Sequence, residues 1–109
     1  MQFISAIVPL YNEEAAVAQT IERLRNALQK TNIPFEIIAV NDASTDSSGK
    51  ILEKIKDIMI ITNPYNLGYG ASIKKGMRKA QGDWIAITDA DGTYPVEDLS
   101  KFTKYADKF

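Results

Sequence analysis

The stretch that decides the fold reads Trp84-Ile85-Ala86-Ile87-Thr88-Asp89-Ala90-Asp91-Gly92. Its apolar first half is typical of a buried strand, and the abrupt change to Asp89 and Asp91 marks the carboxyl end of that strand. Because side chains alternate along an extended chain, the two carboxylates are expected to point to the same side. Ligands of open α/β sheets bind at that edge. Two adjacent carboxylates repel each other unless a cation lies between them, so the stretch predicts a site for a hard metal ion with oxygen ligands.

The amino-acid composition limits the kinds of protein and of functional site that this chain can form. The chain has 109 residues, 45% hydrophobic and 25% charged, which is typical of one soluble domain spanning residues 1–109. Its formal net charge of -1 indicates no general affinity for nucleic acid. Cysteine and histidine are absent, so carboxylates must carry any metal or acid-base chemistry. We expect a cytoplasmic protein without a transmembrane segment, because no apolar run approaches the roughly 20 residues that span a bilayer.

Strands and helices are predicted to alternate along the chain. Apolar runs predict strands at residues 3–10, 35–40, 58–62 and 84–88. The first helix is expected to start directly after Asn12, with acidic residues in its first turn. The third is expected to carry Ile73, Met77 and Ala80 on one face and to stop at Gly82. A further helical pattern covers residues 99–109.

This alternation predicts an α/β fold with a Rossmann-like, doubly wound parallel sheet, strand order 3-2-1-4 and helices on both faces. In that order the first and fourth strands are neighbours. The acidic loops at Glu13, at residues 42–46 and at residues 89–91 are then expected to meet along one edge of the sheet.

Two weaker patterns have plain structural explanations. Gly68-Tyr69-Gly70 lacks the third glycine of a dinucleotide fingerprint, so glycines that ease a turn before a helix are the favoured interpretation, with Lys74 and Lys75 on a solvated face. Asp42, Ser44 and Asp46 fall at calcium-loop offsets, but the required glycine is missing. Capping of the second helix by Asp42 and Ser44 remains an alternative to any ligand role.

Residues 88–93 leave three interpretations open. The first is an aspartate-rich turn without function. The second is a phosphatase, because Asp-x-Asp-Gly-Thr resembles the motif of haloacid dehalogenase-like hydrolases, with Asp89 as nucleophile and Asp91 as acid-base. That motif belongs to the first strand of those enzymes, whereas here it follows the fourth. The third is a glycosyltransferase.

Four co-linear segments support the third interpretation. They resemble the motifs of family 2 glycosyltransferases of the GT-A fold, in particular the polyprenyl-phosphate (dolichol-phosphate) sugar synthases. The segments are Ala6 to Glu14, Val40 to Asp46, Asn66-Leu67-Gly68 with Gly76 and Ala80 to Asp83, and Asp89-Ala90-Asp91. The resemblance covers essentially the whole chain.

The resemblance implies a donor site for a nucleotide-sugar, a UDP- or GDP-sugar, with polyprenyl phosphate as the acceptor. Asp89 and Asp91 would hold Mg²⁺ or Mn²⁺ on the diphosphate. Thr93 stands where relatives often carry a longer glutamine. The remaining positions implied for the nucleotide are Pro9 and Tyr11 at the base, Glu13 and Asp42 as acceptors for base or ribose, Val40 through its backbone, and Ala90 beside the nucleotide.

Complete family members continue well beyond this length, so we expect the chain to be the donor-binding half of a GT-A domain, with the acceptor-side catalytic base outside it. We expect weak donor binding without turnover, and the whole enzyme at the cytosolic face of a membrane. The fourth strand is expected to leave an open apolar edge that favours a homodimer. The alternative to an enzyme is a non-catalytic nucleotide-binding module.

Overall fold

A four-stranded parallel sheet and three helices make up residues 2–92, the part of the chain that this computed structural model describes. The predicted helical pattern of residues 99–109 lies outside the described residues. The elements are β1 (Ile4–Leu10), α1 (Val17–Gln29), β2 (Phe35–Asn41), α2 (Ser48–Glu53), β3 (Met59–Thr62), α3 (Tyr69–Lys79) and β4 (Trp84–Ile87).

The strand order is β3-β2-β1-β4, which confirms the predicted topology. The central strand β1 pairs in parallel with both neighbours, so Ile7 lies beside Ile38 of β2 and beside Ile87 of β4. Because all strands are parallel, the loops that follow β1, β2 and β4 emerge at the same edge of the sheet. The predicted gathering of acidic loops follows directly from this order.

One face of the sheet is covered by α1 and α2. The stripe of α1 formed by Val17, Ile21, Leu24 and Leu28 is fully buried, as its three-to-four-residue spacing predicts. Each such side chain stabilises the fold by about 1.5 to 3 kcal/mol relative to exposure. With 13 residues, α1 is the longest helix described, and no helix in residues 2–92 is long and apolar enough to cross a membrane.

The other face is covered by α3, which approaches the sheet through small residues. Ser72 and Gly76 are its buried positions. Of the predicted apolar face, Ala80 packs half-buried against the core, whereas Met77 is 49% exposed. A Cβ atom on Gly76 would lie 2.6 Å from Ile7 Cγ2, which shows that the helix backbone rests directly on β1. The helix also ends at Lys79, before Gly82.

The start of α1 differs from the prediction. The helix begins at Val17, and no acidic residue lies in its first turn. Asn12 has a positive φ of 53°, and its side chain binds the neighbouring loop instead of entering the helix. The Glu13 carbonyl accepts hydrogen bonds from the N–H groups of Ala16 and Val17. Glu13 therefore lies ahead of the helix, on the loop at the sheet edge.

Candidate functional site

A cleft of about 220 Å³ opens at the carboxyl edge of the sheet, where the loops after β1, β2 and β4 meet the start of α3. It contains seven of the eight residues that the sequence singled out, from three separate parts of the chain. Its lining consists of Pro9, Leu10, Tyr11, Glu13, Asp42, Tyr69, Ser72, Asp89, Ala90 and Asp91.

Val40 is the predicted residue that does not line this cleft. Its side chain is fully buried with Ile7 and Ile38 in the smaller of the two core clusters. In β2 it pairs with Pro9 of β1. It also lies two residues before Asp42 in the sequence. Any contribution of Val40 to a ligand would therefore come from its backbone or through its neighbours.

The loops after β1 and β2 are joined by hydrogen bonds that centre on Asn12. Its side-chain oxygen accepts from the N–H of Thr45 at 2.8 Å and from the N–H of Asp46 at 3.3 Å, and its own N–H donates to Ser44 Oγ. The Glu13 N–H donates to Ser48 Oγ at 2.9 Å. These bonds fix the segment that carries Tyr11 and Glu13 relative to the second loop.

Asp42 fastens the loop that precedes α3. Its Oδ1 accepts from the Leu67 N–H at 2.7 Å and the Asn63 amide at 2.9 Å, and its Oδ2 accepts from the Gly68 N–H at 2.9 Å. Burial tends to raise the pKa of Asp42, but these hydrogen bonds, together with the positive charge of Lys75, outweigh it and lower the pKa below its ordinary value. Asp42 is therefore a charged residue, only 5% exposed, that anchors the loop before α3.

The alternative in which Asp42 and Ser44 cap the second helix is wrong. The residue that precedes α2 is Ser47, whose side chain makes no capping hydrogen bond, and the Ser48 N–H donates to Asp46 Oδ1 at 2.9 Å. Ser44 Oγ instead accepts the Asn12 N–H. The polar residues of this loop, of the kind that often cap helices, instead form hydrogen bonds with the loop after β1.

Further acidic groups of the cleft surround Glu13. Burial raises the pKa of Glu13, and the negative charges of Asp91, Asp46 and Asp89 raise it further. The chain leaves β4 after Ile87 and turns at residues 90–91, so the strand-like alternation that the sequence predicted does not continue. Asp89 and Asp91 nevertheless line the same cleft because this turn folds back over α1.

The turn at residues 89–92 is held by α1. Thr20 Oγ1 donates to the Ala90 carbonyl at 3.3 Å, and Arg23 Nη1 donates to the Gly92 carbonyl at 3.4 Å. Thr20 and Ala90 are both buried. Sequence reasoning missed these supports, because a threonine on the buried stripe of a helix carries no signal of a contact 70 residues away.

Two further lining residues come from α3 and were also missed. The Tyr69 hydroxyl donates to Asp89 Oδ1 at 3.0 Å. Burial and this bond to a negatively charged group raise the pKa of Tyr69 above its ordinary value of 10.0, so the phenol keeps its proton at neutral pH. Ser72 Oγ accepts from the Asn63 amide at 3.1 Å. The only signal available was the loop Gly68-Tyr69-Gly70 before a helix, where Gly68 has a φ of 97° as the turn interpretation requires.

The oxygen-bearing side chains of the cleft fit a divalent metal ion that is also bound by the phosphate oxygens of a ligand. Asp89 and Asp91 supply hard oxygen atoms, and a cation between them would offset the negative charge that raises the pKa of the neighbouring Glu13. Within residues 2–92, no three acidic side chains lie close enough to hold an ion by themselves. Mg²⁺ commonly takes one or two carboxylates and completes its shell with water and substrate phosphate oxygens.

Comparison with known sequences gives a consistent result. The model of Glycosyl transferase family 2 matches residues 5–109. A dolichyl-phosphate beta-glucosyltransferase of Trichomonas vaginalis is 35% identical over 106 residues, which cover 89% of this chain and 32% of the relative. An undecaprenyl-phosphate 4-deoxy-4-formamido-L-arabinose transferase of Pectobacterium atrosepticum is 34% identical over 108 residues, covering 94% of this chain and 33% of the relative. The chain thus spans about a third of the length of these relatives.

Solved structures with the same fold include complexes with sugar nucleotides. S. aureus TarS, residues 1–349, in complex with UDP-GlcNAc aligns with a TM-score of 0.76 and 30% identity over 99% of this chain and 32% of that chain. The mannosyltransferase PcManGT of Pyrobaculum calidifontis, in complex with GDP-Man and Mn²⁺, aligns with a TM-score of 0.76 and 25% identity over 94% of this chain and 31% of that chain. The expected GT-A architecture is confirmed.

Proposed function

This chain belongs to glycosyl transferase family 2, and from that premise we propose that its cleft binds a UDP- or GDP-sugar together with Mg²⁺ or Mn²⁺. The sugar would pass to polyprenyl phosphate in the whole enzyme, at the cytosolic face of a membrane. The observation that carries the proposal is the meeting of Glu13, Asp42, Asp89 and Asp91, from three loops, in one cleft. Relatives named for dolichyl and undecaprenyl phosphate support the acceptor class.

The carboxylates of the turn after β4 suit the diphosphate and its metal. Asp89 and Asp91 would hold the ion, which would neutralise the charge that develops on the departing nucleoside diphosphate. Ala90 is 2% exposed and its carbonyl accepts a hydrogen bond from Thr20, so the backbone between the two carboxylates is held in place. In a donor-binding role Ala90 would lie beside the nucleotide.

The remaining lining residues of the cleft suit the nucleoside. Pro9 and Tyr11 offer an apolar wall and an aromatic face for the base. Glu13 and Asp42 would accept hydrogen bonds from base or ribose, and Val40 would contribute by its backbone. Since three hydrogen bonds already engage the Asp42 carboxylate, one lone pair is left for a ligand.

Ligand-dependent thermal stabilisation tests this proposal. UDP-glucose or GDP-mannose with Mn²⁺ is expected to raise the melting temperature of the chain, because a ligand that binds only the folded state stabilises it by mass action. Asp91→Ala is expected to remove most of the Mn²⁺-dependent part of the shift, because it deletes one of the two carboxylates assigned to the metal.

A matched control is Glu53→Gln, which removes a negative charge from an exposed position on α2 and should leave the shift unchanged. A shift that survives in Asp91→Ala would contradict the assigned metal site. Stabilisation by fluoroberyllate in place of the sugar nucleotides would favour the phosphatase alternative, and no response to either would favour a module without this ligand.

A further inference from the structure

Tyr69 and Asp89 connect two elements that meet at the cleft. The Tyr69 hydroxyl donates to Asp89 Oδ1 at 3.0 Å, although the residues are 20 positions apart in sequence. Tyr69 is the first residue of α3, and Asp89 follows the end of β4. Both residues line the cleft, so this bond is part of its wall.

The position of Tyr69 is set by a rigid support. The N–H groups of Leu67 and Gly68, directly before it, donate to the buried carboxylate of Asp42. The Gly68 carbonyl then accepts from the Ser72 N–H at 3.1 Å, which starts α3. The tyrosine ring is 56% exposed, so its placement comes from this backbone anchor rather than from packing in the core.

The chemistry of the tyrosine matters for a carboxylate that would bind a metal. A lysine or arginine at this place would neutralise Asp89 and compete with a cation for it. A phenol donates a strong hydrogen bond to a carboxylate without adding positive charge. The bond occupies Oδ1 and restricts rotation of the carboxylate, while the group as a whole stays negatively charged. Carboxylates that bind metals are commonly oriented by an outer hydrogen bond of this kind.

We propose that Tyr69 is a positioning residue, which holds Asp89 by Oδ1 so that Oδ2 is presented to a divalent metal ion bound with a nucleoside diphosphate. This inference rests on the proposed function, because it takes Asp89 as a metal ligand. It adds that the start of α3 controls how tightly the metal is held.

The test is Tyr69→Phe, which removes the hydroxyl and keeps the exposed ring. We expect the dissociation constant of Mn²⁺, measured from the EPR signal of free Mn²⁺ at saturating UDP, to rise about tenfold. The affinity for uridine, measured by calorimetry without metal, is expected to change by less than about twofold. A structural defect in the loop would weaken both ligands together and would overturn the proposal.

Two comparisons make the result specific. Tyr65→Phe removes a hydroxyl from an exposed tyrosine in the loop before α3 that does not line the cleft, and it should leave Mn²⁺ binding unchanged. In an Asp89→Asn background, Tyr69→Phe should have no further effect, because the group it positions is gone. A further loss of Mn²⁺ affinity there would mean that Tyr69 contacts the ligand directly, which overturns the positioning role.

The inference and the proposed function can fail separately. If the unmodified chain binds UDP with Mn²⁺ and Tyr69→Phe binds Mn²⁺ equally well, only the role of Tyr69 is wrong. If the unmodified chain shows no Mn²⁺-dependent binding of either UDP or GDP, the proposed function is wrong and the inference falls with it.

Discussion

At the scale of single residues, Asp42 connects the stability of the fold to the shape of the cleft. Its carboxylate is buried and accepts hydrogen bonds from Leu67, Gly68 and Asn63. A buried charge is costly unless its hydrogen bonds are complete. Asp42 therefore holds the loop before α3 only while it is ionised.

We predict that Asp42→Asn lowers the free energy of unfolding by about 3 kcal/mol at neutral pH, because an amide group would face N–H donors. The pKa of Asp42 is lowered in the folded state from its ordinary value of 3.8. Its stabilisation is therefore complete above that value and is lost as the pH falls through the folded-state pKa. Denaturant unfolding at neutral and at acid pH checks this. The difference between the two proteins should shrink in acid, and a difference that is constant with pH would contradict the charged role.

The sequence predicted Asp42 as a candidate but not what it does. The residues that it binds lie 21, 25 and 26 positions away, in a loop whose composition indicated only a turn. A local pattern can place a carboxylate at the end of a strand, because strands alternate and end in a regular way. It cannot tell which distant N–H groups the fold will bring to that carboxylate. The bond between Tyr69 and Asp89 escaped prediction for the same reason.

At the scale of elements, the contact between α3 and the sheet depends on a missing side chain. Gly76 lies over Ile7, with no room for a Cβ atom, whereas Gly70 on the same helix has no atom within 4 Å of its own Cβ position. We predict that Gly76→Ala destabilises the fold by about 1 to 3 kcal/mol through overpacking.

Gly70→Ala is the matched control. It should be neutral or stabilise the fold by up to about 1 kcal/mol, because alanine is the better helix former. Thermal unfolding of both variants measures the difference. Equal stability of the two would mean that α3 can move away from β1 without cost, and that its closeness to the sheet is not required.

The same contact explains why apolar spacing did not identify the buried positions of α3. Periodicity grouped Met77 with Ile73 and Ala80, but the fully buried positions are Ser72 and Gly76, and Met77 is exposed. Apolar spacing works for α1, where a wide space is filled by Leu24 and Leu28. It fails where backbones approach closely and small residues form the contact, because glycine and serine carry no hydrophobic signal.

At the scale of the whole molecule, the order of the strands could be predicted from sequence, because short βα units with right-handed connections allow few arrangements. The edge at which the cleft opens followed from that order. The aspartates of the turn at residues 89–92 were enough to place it at this edge. Its attachment to Thr20 and Arg23 could not be predicted.

Self-association through β4 remains a prediction at this scale. Within residues 2–92, β4 pairs with β1 and has no strand on its other side. An unpaired edge with apolar residues such as Ile85 and Ile87 favours pairing with a second copy. We expect the sedimentation coefficient of the chain to rise with concentration from that of a monomer towards that of a dimer. A monomer at all concentrations would contradict this.

The attachment of the turn at residues 89–92 to α1 has a consequence for how the molecule folds. The contacts from Thr20 to Ala90 and from Arg23 to Gly92 close loops of 70 and 69 residues. Contacts of such high sequence separation carry a larger entropy cost of loop closure than local contacts do. A chain with α1 packed but this turn undocked would contain much of the core and yet lack the cleft. Occupancy of the cleft by a ligand therefore counts only molecules in which the two ends of the described chain have come together.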